Sequence, residues 1–176
     1  MNLQPTLRGA LVTLEPTVAG DWCALFAAAA DPEIWAQHPA SDRWKEPVFR
    51  AYFDDALASG GSLTIRDRAS GEVIGASRYA NHDLQRDEIE IGWTFLARRF
   101  WGGPVNAEVK RLMLDHILAE VHAAVFVVGA ENLRSRRAME KIGGVVEQGR
   151  TQRGDGSRMD RHVFYRIARE HGAAAA

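Results

Sequence analysis

Several things are scarce in this sequence, and each shortage closes a class of protein. Cysteine occurs once in 176 residues, at Cys23. No internal disulfide can form, and an intracellular, cytoplasmic setting is the expectation. The formal net charge is -1, which leaves no electrostatic footprint for nucleic acid or an anionic membrane surface. No apolar run is long enough to span a bilayer, and Met1-Asn2-Leu3-Gln4-Pro5 lacks a basic region followed by an apolar stretch. Neither a span nor a leader is therefore expected. Internal repeats, an interdomain linker and a metal-ligand constellation are also missing. One domain over residues 1–170 is the economical reading, with enough chain for a real core. The Ala-rich end, residues 171–176, is expected to be a disordered tail.

What is present is an alternation of strand and helix signals. Gly9 to Leu14 alternates as a first strand, ended by Glu15-Pro16. Asp21 to Ala30 carries Trp22, Leu25, Phe26 and Ala29 at helical spacing, and Asp31-Pro32 opens a short helical piece with Ile34 and Trp35. Glu46 to Ser59 is amphipathic, with Val48, Tyr52, Phe53 and Leu57 on one stripe, and Gly60-Gly61 ends it. Ser62–Arg66 and Val73–Tyr79 read as a hairpin around Ala69-Ser70-Gly71, and a polar connection from Asn81 leads to a long strand, Asp87 to Leu96. Pro104 to about Val121 is helical. Ala124–Val128 is wholly apolar, as a buried parallel strand would be. Asn132 to Ile142 is a further helix closed by Gly143-Gly144. Val145–Gln148 and Met159–Ile167 are two last strands, with a turn at Arg153-Gly154-Asp155-Gly156. A meander followed by alternating elements gives a mixed α/β domain.

The chain is organised around Trp101-Gly102-Gly103-Pro104-Val105-Asn106-Ala107, which joins the long strand to its helix. The glycines let the backbone bend and let a ligand come close. Pro104 suits the first helical position. The free N–H groups and dipole of such a helix start favour an anion, and phosphate fits best. No Gly-Lys-Ser/Thr follows, and the first half is not β-α-β, so a P-loop or Rossmann nucleotide site is disfavoured.

Three pieces in order resemble the GNAT N-acetyltransferase superfamily: Glu90-Ile91-Gly92-Trp93, the Trp101–Asn106 turn, and Asn132-Leu133-Arg134-Ser135-Arg136-Arg137-Ala138-Met139-Glu140-Lys141-Ile142-Gly143. Trp101 and the Met-Glu-Lys-Ile-Gly ending look most like the branch of ribosomal-protein alanine and serine N-acetyltransferases. The resemblance implies a central mixed, mostly antiparallel sheet that splays between two parallel strands, around Trp93–Leu96 and Val125–Val128. It implies acetyl-CoA as cosubstrate and no metal. The pantetheine arm would lie in the splay along Phe95 and Leu96. The pyrophosphate would rest on Trp101, Gly102, Gly103, Val105, Asn106 and Ala107. Asn132 would bond the arm, Ser135 would lie near the thiol, and one arginine of Arg134, Arg136 and Arg137 would reach phosphate, with Arg136 the choice. The chain departs from the superfamily pattern in carrying Pro104 and Asn106 in the turn, and Met139 where a tyrosine often protonates the thiolate. Ser135 is the substitute considered for that acid.

Acyl transfer to an amine needs a neutral nucleophile, a donor to the carbonyl oxygen and the two reactants held in line. A backbone N–H near Phe95 is the expected oxygen donor. Glu90, on the face of Glu88 by the two-residue period, is the candidate base through water; His82 and Asp83 come second. Plainer readings stand beside these. Glu90 also reads as a salt-bridged strand residue, Asn132 as a helix cap, and the arginines as a solvated face. His116 reads as a core histidine and Cys23 as a buried small hydrophobe. Two rivals accompany the N-acetyltransferase reading: a non-catalytic acyl-CoA-binding or sensing module, and an enzyme for a longer acyl donor such as succinyl-CoA. The acceptor, a protein N-terminus or a small-molecule amine, would be chosen by the loops Trp35–Trp44 and Thr151–Met159. Monomer and homodimer both fit.

Overall fold

The computed structural model describes residues 1–169; the expected tail at 171–176 lies outside them. Eight strands form one sheet: β1 (Leu7–Arg8), β2 (Val12–Pro16), β3 (Ser62–Asp67), β4 (Val73–Asp83), β5 (Glu88–Leu96), β6 (Ala123–Gly129), β7 (Val145–Val146) and β8 (His162–Ala168). Their spatial order is β1-β2-β3-β4-β5-β6-β8-β7. Among the described residues only β5 and β6 pair in parallel; every other neighbour is antiparallel. The helices are α1 (Trp22–Ala29), α2 (Pro32–Trp35), α3 (Glu46–Ala58), α4 (Val105–Ile117) and α5 (Leu133–Lys141). Among the described residues no helix is long and apolar enough to cross a membrane.

Each face of the sheet carries its own core. On one side Ile89, Ile91, Leu96 and Phe126 pack with Val109, Met113 and Ile117 of α4 and Met139 of α5. On the other, Ala76 and Phe95 meet an aromatic-rich cluster of Trp35, Phe49, Tyr52 and Phe53 from α2 and α3. The two-residue period along β5 explains this division: Ile89 and Ile91 face α4, while Glu88 and Glu90 face away from it. A third link crosses the molecule. The Glu108 carboxylate on α4 accepts from the N–H groups of Ala10 at 2.9 Å, Leu11 at 2.7 Å and Val12 at 2.9 Å. It fixes the turn between β1 and β2 against α4.

Several sequence expectations shift. Pro104 occupies the cap of α4 rather than its first helical position, and α4 ends at Ile117, short of Val121. The connection beginning at Asn81 belongs to β4, which runs on to Asp83. Cys23 is exposed, not buried. It lies about 100° around α1 from Trp22, off the stripe formed by Leu25 and Ala29. His116 sits half-buried at the core edge, where its Nε2 lies 2.8 Å from the Asn2 carbonyl oxygen.

Partial burial pushes the Glu108 carboxyl up, but the N–H groups of Leu11, Val12 and Ala10 outweigh it and hold the group below the usual range. A depressed carboxyl stabilises the fold above its unfolded value and loses that contribution as pH falls through the folded one. Glu108→Ala is expected to lower unfolding free energy by about 2 kcal/mol at pH 7. The deficit against wild type should shrink as pH falls toward about 3. Urea titration at the two pH values checks both points.

Candidate functional site

The parallel ladder between β5 and β6 lasts only from Glu88 to Glu90, opposite Ala123 to Val125. Beyond it the strands part. On β5 the register against β4 shifts between Ala76 and Arg78, opposite Phe95 and Gly92. Trp93, within that irregular stretch, takes φ 50°, a left-handed value that is an outlier for an aromatic residue. Such a bulge bends and twists a strand, and here it carries β5 away from β6. A cleft of about 500 Å3 fills the gap.

Its walls are Gly92 to Leu96 and Phe126 to Gly129, edges that do not pair with each other. Its mouth holds Gly102, Gly103, Asn106 and Ala107. Gly102 has φ +71°, and a Cβ built at either glycine would meet nothing within 4 Å, so both open into free space. Among the described residues, the N–H groups of Gly102, Gly103, Val105, Asn106 and Ala107 donate to no protein acceptor. These five donors at the start of a 13-residue helix suit an anion. The parted edges suit an extended amide-bearing chain, which would pair as an added strand with the backbone groups that Tyr52 and Trp101 do not take.

Nine of the expected binding residues line this cleft: Phe95, Leu96, Trp101, Gly102, Gly103, Asn106, Ala107, Asn132 and Ser135. Val105 contributes its N–H only, because its side chain is in the core. Arg136 is displaced from its expected place. It donates to the Tyr165 hydroxyl at 3.2 Å and the Ala130 carbonyl at 3.1 Å, on the side of α5 turned from the cleft. Arg134 and Arg137 line the cleft instead, as the helical period requires of residues two and one positions away. Arg134 stacks 3.7 Å over the Trp101 ring and bonds the Ile34 carbonyl, closing one side of the mouth. Asn132 is a cap, its Oδ1 accepting from the Ser135 N–H at 3.2 Å. Its Nδ2 has no acceptor among the described residues and remains available to a ligand. At Phe95 the carbonyl oxygen lies against Gly75 of β4, whereas the Leu96 carbonyl is taken by the Trp101 indole. The backbone turned to the gap is thus that of Phe95's neighbours, not its own.

Glu90 does not line the cleft. Its carboxylate lies behind the strand, bonded to Asn81 Nδ2 at 2.6 Å and to Arg153 Nε at 3.0 Å. Burial raises its proton affinity, against the pull of Arg153. Gly92, which lines the cleft, lies beside it: a Cβ there would sit 3.4 Å from Glu90 Oε1. Of the second choices, His82 is exposed, and Asp83 caps the turn by accepting from Gln85 and Arg86. Arg78 lies on the same face, 3% exposed, with Nη1 on Asp55 at 2.6 Å and Nε and Nη2 without hydrogen-bond partners among the described residues. Arg78 and Arg153 both lie near the Trp93 ring, at 4.7 and 5.1 Å. His38, also lining the cleft, is held near pKa 4 by burial and then by Arg43.

Residues 12–145 match the family model described as an acetyltransferase (GNAT) domain. The chain belongs to the GNAT acetyltransferase family. Similar solved structures include a GCN5-related N-acetyltransferase from Brucella melitensis, at 22% identity and TM-score 0.78, covering 94% of this chain and 79% of that one. An acetyltransferase from Agrobacterium tumefaciens str. C58 is 24% identical with TM-score 0.69, covering 94% and 95%. The microcin C7 self-immunity acetyltransferase MccE, solved with acetyl-CoA and AMP, is 12% identical with TM-score 0.74, covering 96% and 99%. A comparison with curated proteins finds no match. The mostly antiparallel sheet, with one parallel pair among the described residues, matches the GNAT fold.

One cleft residue escaped the sequence reading. Lys110 of α4 lies four residues after Asn106, and its Nζ donates to Thr94 Oγ1 at 2.6 Å. It is 3% exposed, and burial lowers its pKa to about 7. A helical position one turn past the glycine turn was the available signal, lost among the charged residues of an amphipathic helix. A depressed lysine weakens proton binding in the folded state only, so stability rises with pH from about 7 toward the unfolded value. Relative to Lys110→Met, wild type is expected to gain about 1 kcal/mol of unfolding free energy per pH unit between roughly pH 7.5 and 9.5. Parallel urea titrations of the two proteins read this slope; equal slopes would place the amine in water.

Proposed function

We propose that this GNAT protein is an acetyl-CoA-dependent N-acetyltransferase. The acetyl group passes to a primary amine by direct attack, with donor and acceptor bound together. The observation that carries this reading is the junction of two features. A turn with five unpartnered N–H donors opens straight into a slot walled by two unpaired parallel edges. A ligand with a pyrophosphate at one end and an amide-bearing arm at the other fits that junction, as coenzyme A does. Acetyl-CoA would supply the thioester carbonyl that the amine attacks.

The chain's own residues divide the remaining work. Gly102, Gly103, Val105, Asn106 and Ala107 hold phosphate oxygens through their N–H groups, and Arg134 or Arg137 adds charge at the mouth. Asn132 Nδ2 donates to the arm while its Oδ1 keeps the cap. The acceptor amine enters from the opposite face of the sheet, past Trp93 and between the two acceptor loops. There Glu90, across Gly92, takes the amine proton through one water. Ser135 lines the cleft, with no hydrogen bond from its hydroxyl among the described residues, and is the candidate acid for the thiolate. A protein N-terminus is favoured among amines by the likeness of Trp101 and Met139–Gly143 to the ribosomal-protein branch.

Acetyl-CoA at a hundred times its dissociation constant should add about 2.7 kcal/mol of stability. For a chain of this length that is a rise of roughly 5–10 °C in Tm. NAD and ATP should give none. Gly103→Glu places bulk and like charge beside phosphate and should abolish the shift. An acetyl-CoA shift without turnover of any amine would favour the binding module, and a larger shift with succinyl-CoA would change the donor.

Glu90→Gln keeps one side-chain oxygen for Asn81 and Arg153 but removes the negative charge, and with it both the base and the Arg153 ion pair. It should lower kcat at pH 7 by about 100-fold with the KM for acetyl-CoA within about threefold. A rate equal to wild type would remove Glu90 from proton transfer.

A further inference from the structure

The chain has only three lysines, Lys45, Lys110 and Lys141. Lys45 and Lys141 are exposed. Lys110 is buried to 3% exposure, yet among the described residues no carboxylate lies within ion-pairing distance of it. A buried ammonium without a counter-charge is strongly disfavoured. Its surroundings are Thr94 Oγ1 at 2.6 Å and the Phe126 ring, whose centroid is 5.3 Å from Nζ. Thr94 and Phe126 come from the two strands that part, and both line the cleft with Lys110. The amine therefore stands on the floor of the gap, one helical turn inward from the glycine turn.

Thr94 also fixes how the amine is presented. Its hydroxyl oxygen accepts from Lys110 Nζ, lies 2.7 Å from Ser77 Oγ and is 3.3 Å from the Gly92 carbonyl. One N–H of the amine is tied down by this contact. The nitrogen lone pair of the neutral form is left unengaged. A desolvated lysine amine of this kind is an activated nucleophile. A thioester held in the same cleft would meet it at high effective concentration.

We propose that Lys110 is an internal acyl acceptor, a self-acetylation site inside the donor cleft. This rests on the reading of acetyl-CoA as the donor. The Nζ lone pair forms a C–N bond to the thioester carbonyl carbon. The C–S bond breaks and its electron pair leaves on sulfur. The proton lost by nitrogen passes to the thiolate, giving an acetyl-lysine and free CoA thiol with no change of oxidation state. The product amide cannot be charged and adds its bulk between Thr94 and Phe126. It narrows the slot for the next donor, so self-acetylation acts as a brake on the site.

The test uses the full chain with acetyl-CoA alone, no amine added, followed by site-resolved mass spectrometry. Acetylation at Lys110 should run about tenfold or more faster than at Lys45 and Lys141, which give the solvent baseline. Desulfo-CoA in excess should suppress it. In a second arm, acetic anhydride replaces acetyl-CoA. Labelling of Lys110 should reach half its plateau near pH 7, following its pKa of about 7, and CoA should shield it. Lys110 left unmodified while acetyl-CoA raises Tm would overturn the proposal and leave the donor reading intact. Modification at the rate of Lys45 would also overturn it, as chemistry from bulk solvent. Failure of CoA both to shield Lys110 and to raise Tm would overturn the donor reading, and this proposal with it. Lys110→Gln, which imitates the acetylated side chain, should weaken acetyl-CoA binding by about tenfold.

Discussion

Three residues of parallel ladder hold β5 to β6, and the rest of the molecule depends on where that ladder stops. Had it continued past Glu90 and Val125, the edges from Ile91 and Phe126 onward would satisfy each other. No slot would remain. Strand edges left unpaired inside a sheet are unfavourable unless something else takes up their hydrogen bonds. Here Tyr52 takes the Trp93 carbonyl at 2.8 Å and Trp101 takes that of Leu96 at 3.0 Å. Both donors are aromatic side chains fixed by the cores around the gap. The cleft is thus a feature of the sheet itself, held open by packing on both faces.

A strand that bends away must also be prevented from leaving altogether, and the buried carboxylates of β5 do this. Glu88 is 1% exposed and lies within 3.4 Å of Arg86, Arg150 and Arg166. Glu90 is tied to Arg153. Arg150 and Arg153 belong to the segment between β7 and β8, and Arg166 to β8, which pairs with β6 over its whole length. The ion pairs join β5 to β8 around the gap. Removing one partner of a buried pair leaves an uncompensated charge, which is strongly destabilising. Glu90 accordingly has a structural role independent of any proton transfer. Its burial and its place beside Gly92 have the same origin, the alternation of faces along β5.

Much of the fold was legible in the sequence because its signals were local and periodic. Ile89 and Ile91 alternate with Glu88 and Glu90, and the apolar run of β6 marks a strand covered on both faces. The turn at Gly102-Gly103 and the Asn132 cap were legible because backbone freedom and capping depend on residue type at a fixed position. What was not legible depends on angles between elements. Arg134, Arg136 and Arg137 look alike in a row, and only the roll of α5 against β6 sends Arg136 to Tyr165. Cys23 follows an aromatic residue in a helix, and its exposure rests on one 100° step. Lys110 reads as a solvated charge because a lysine in an amphipathic helix usually is one. Its burial follows from the parting of two distant strands above it, which no window of sequence contains.

Two of the three departures in the site, Pro104 and Met139, are reconciled by position. A proline inside the first turn would delete one of the N–H groups that face the mouth. At the cap it deletes none of the three that follow, and its carbonyl accepts from Glu108 N at 3.0 Å to start the helix. The same Glu108 sends its carboxylate across to Ala10, Leu11 and Val12, so the residue that receives the first helical turn also ties that turn to the far end of the sheet. Met139 faces the cleft from α5 yet is 4% exposed and packed with Met113 and Phe126. A tyrosine at that position would need a partner for its hydroxyl in an apolar wall. Phe126, from the same core cluster as Met139, is also the ring beside the Lys110 amine, and burial there disfavours the charged form of that amine.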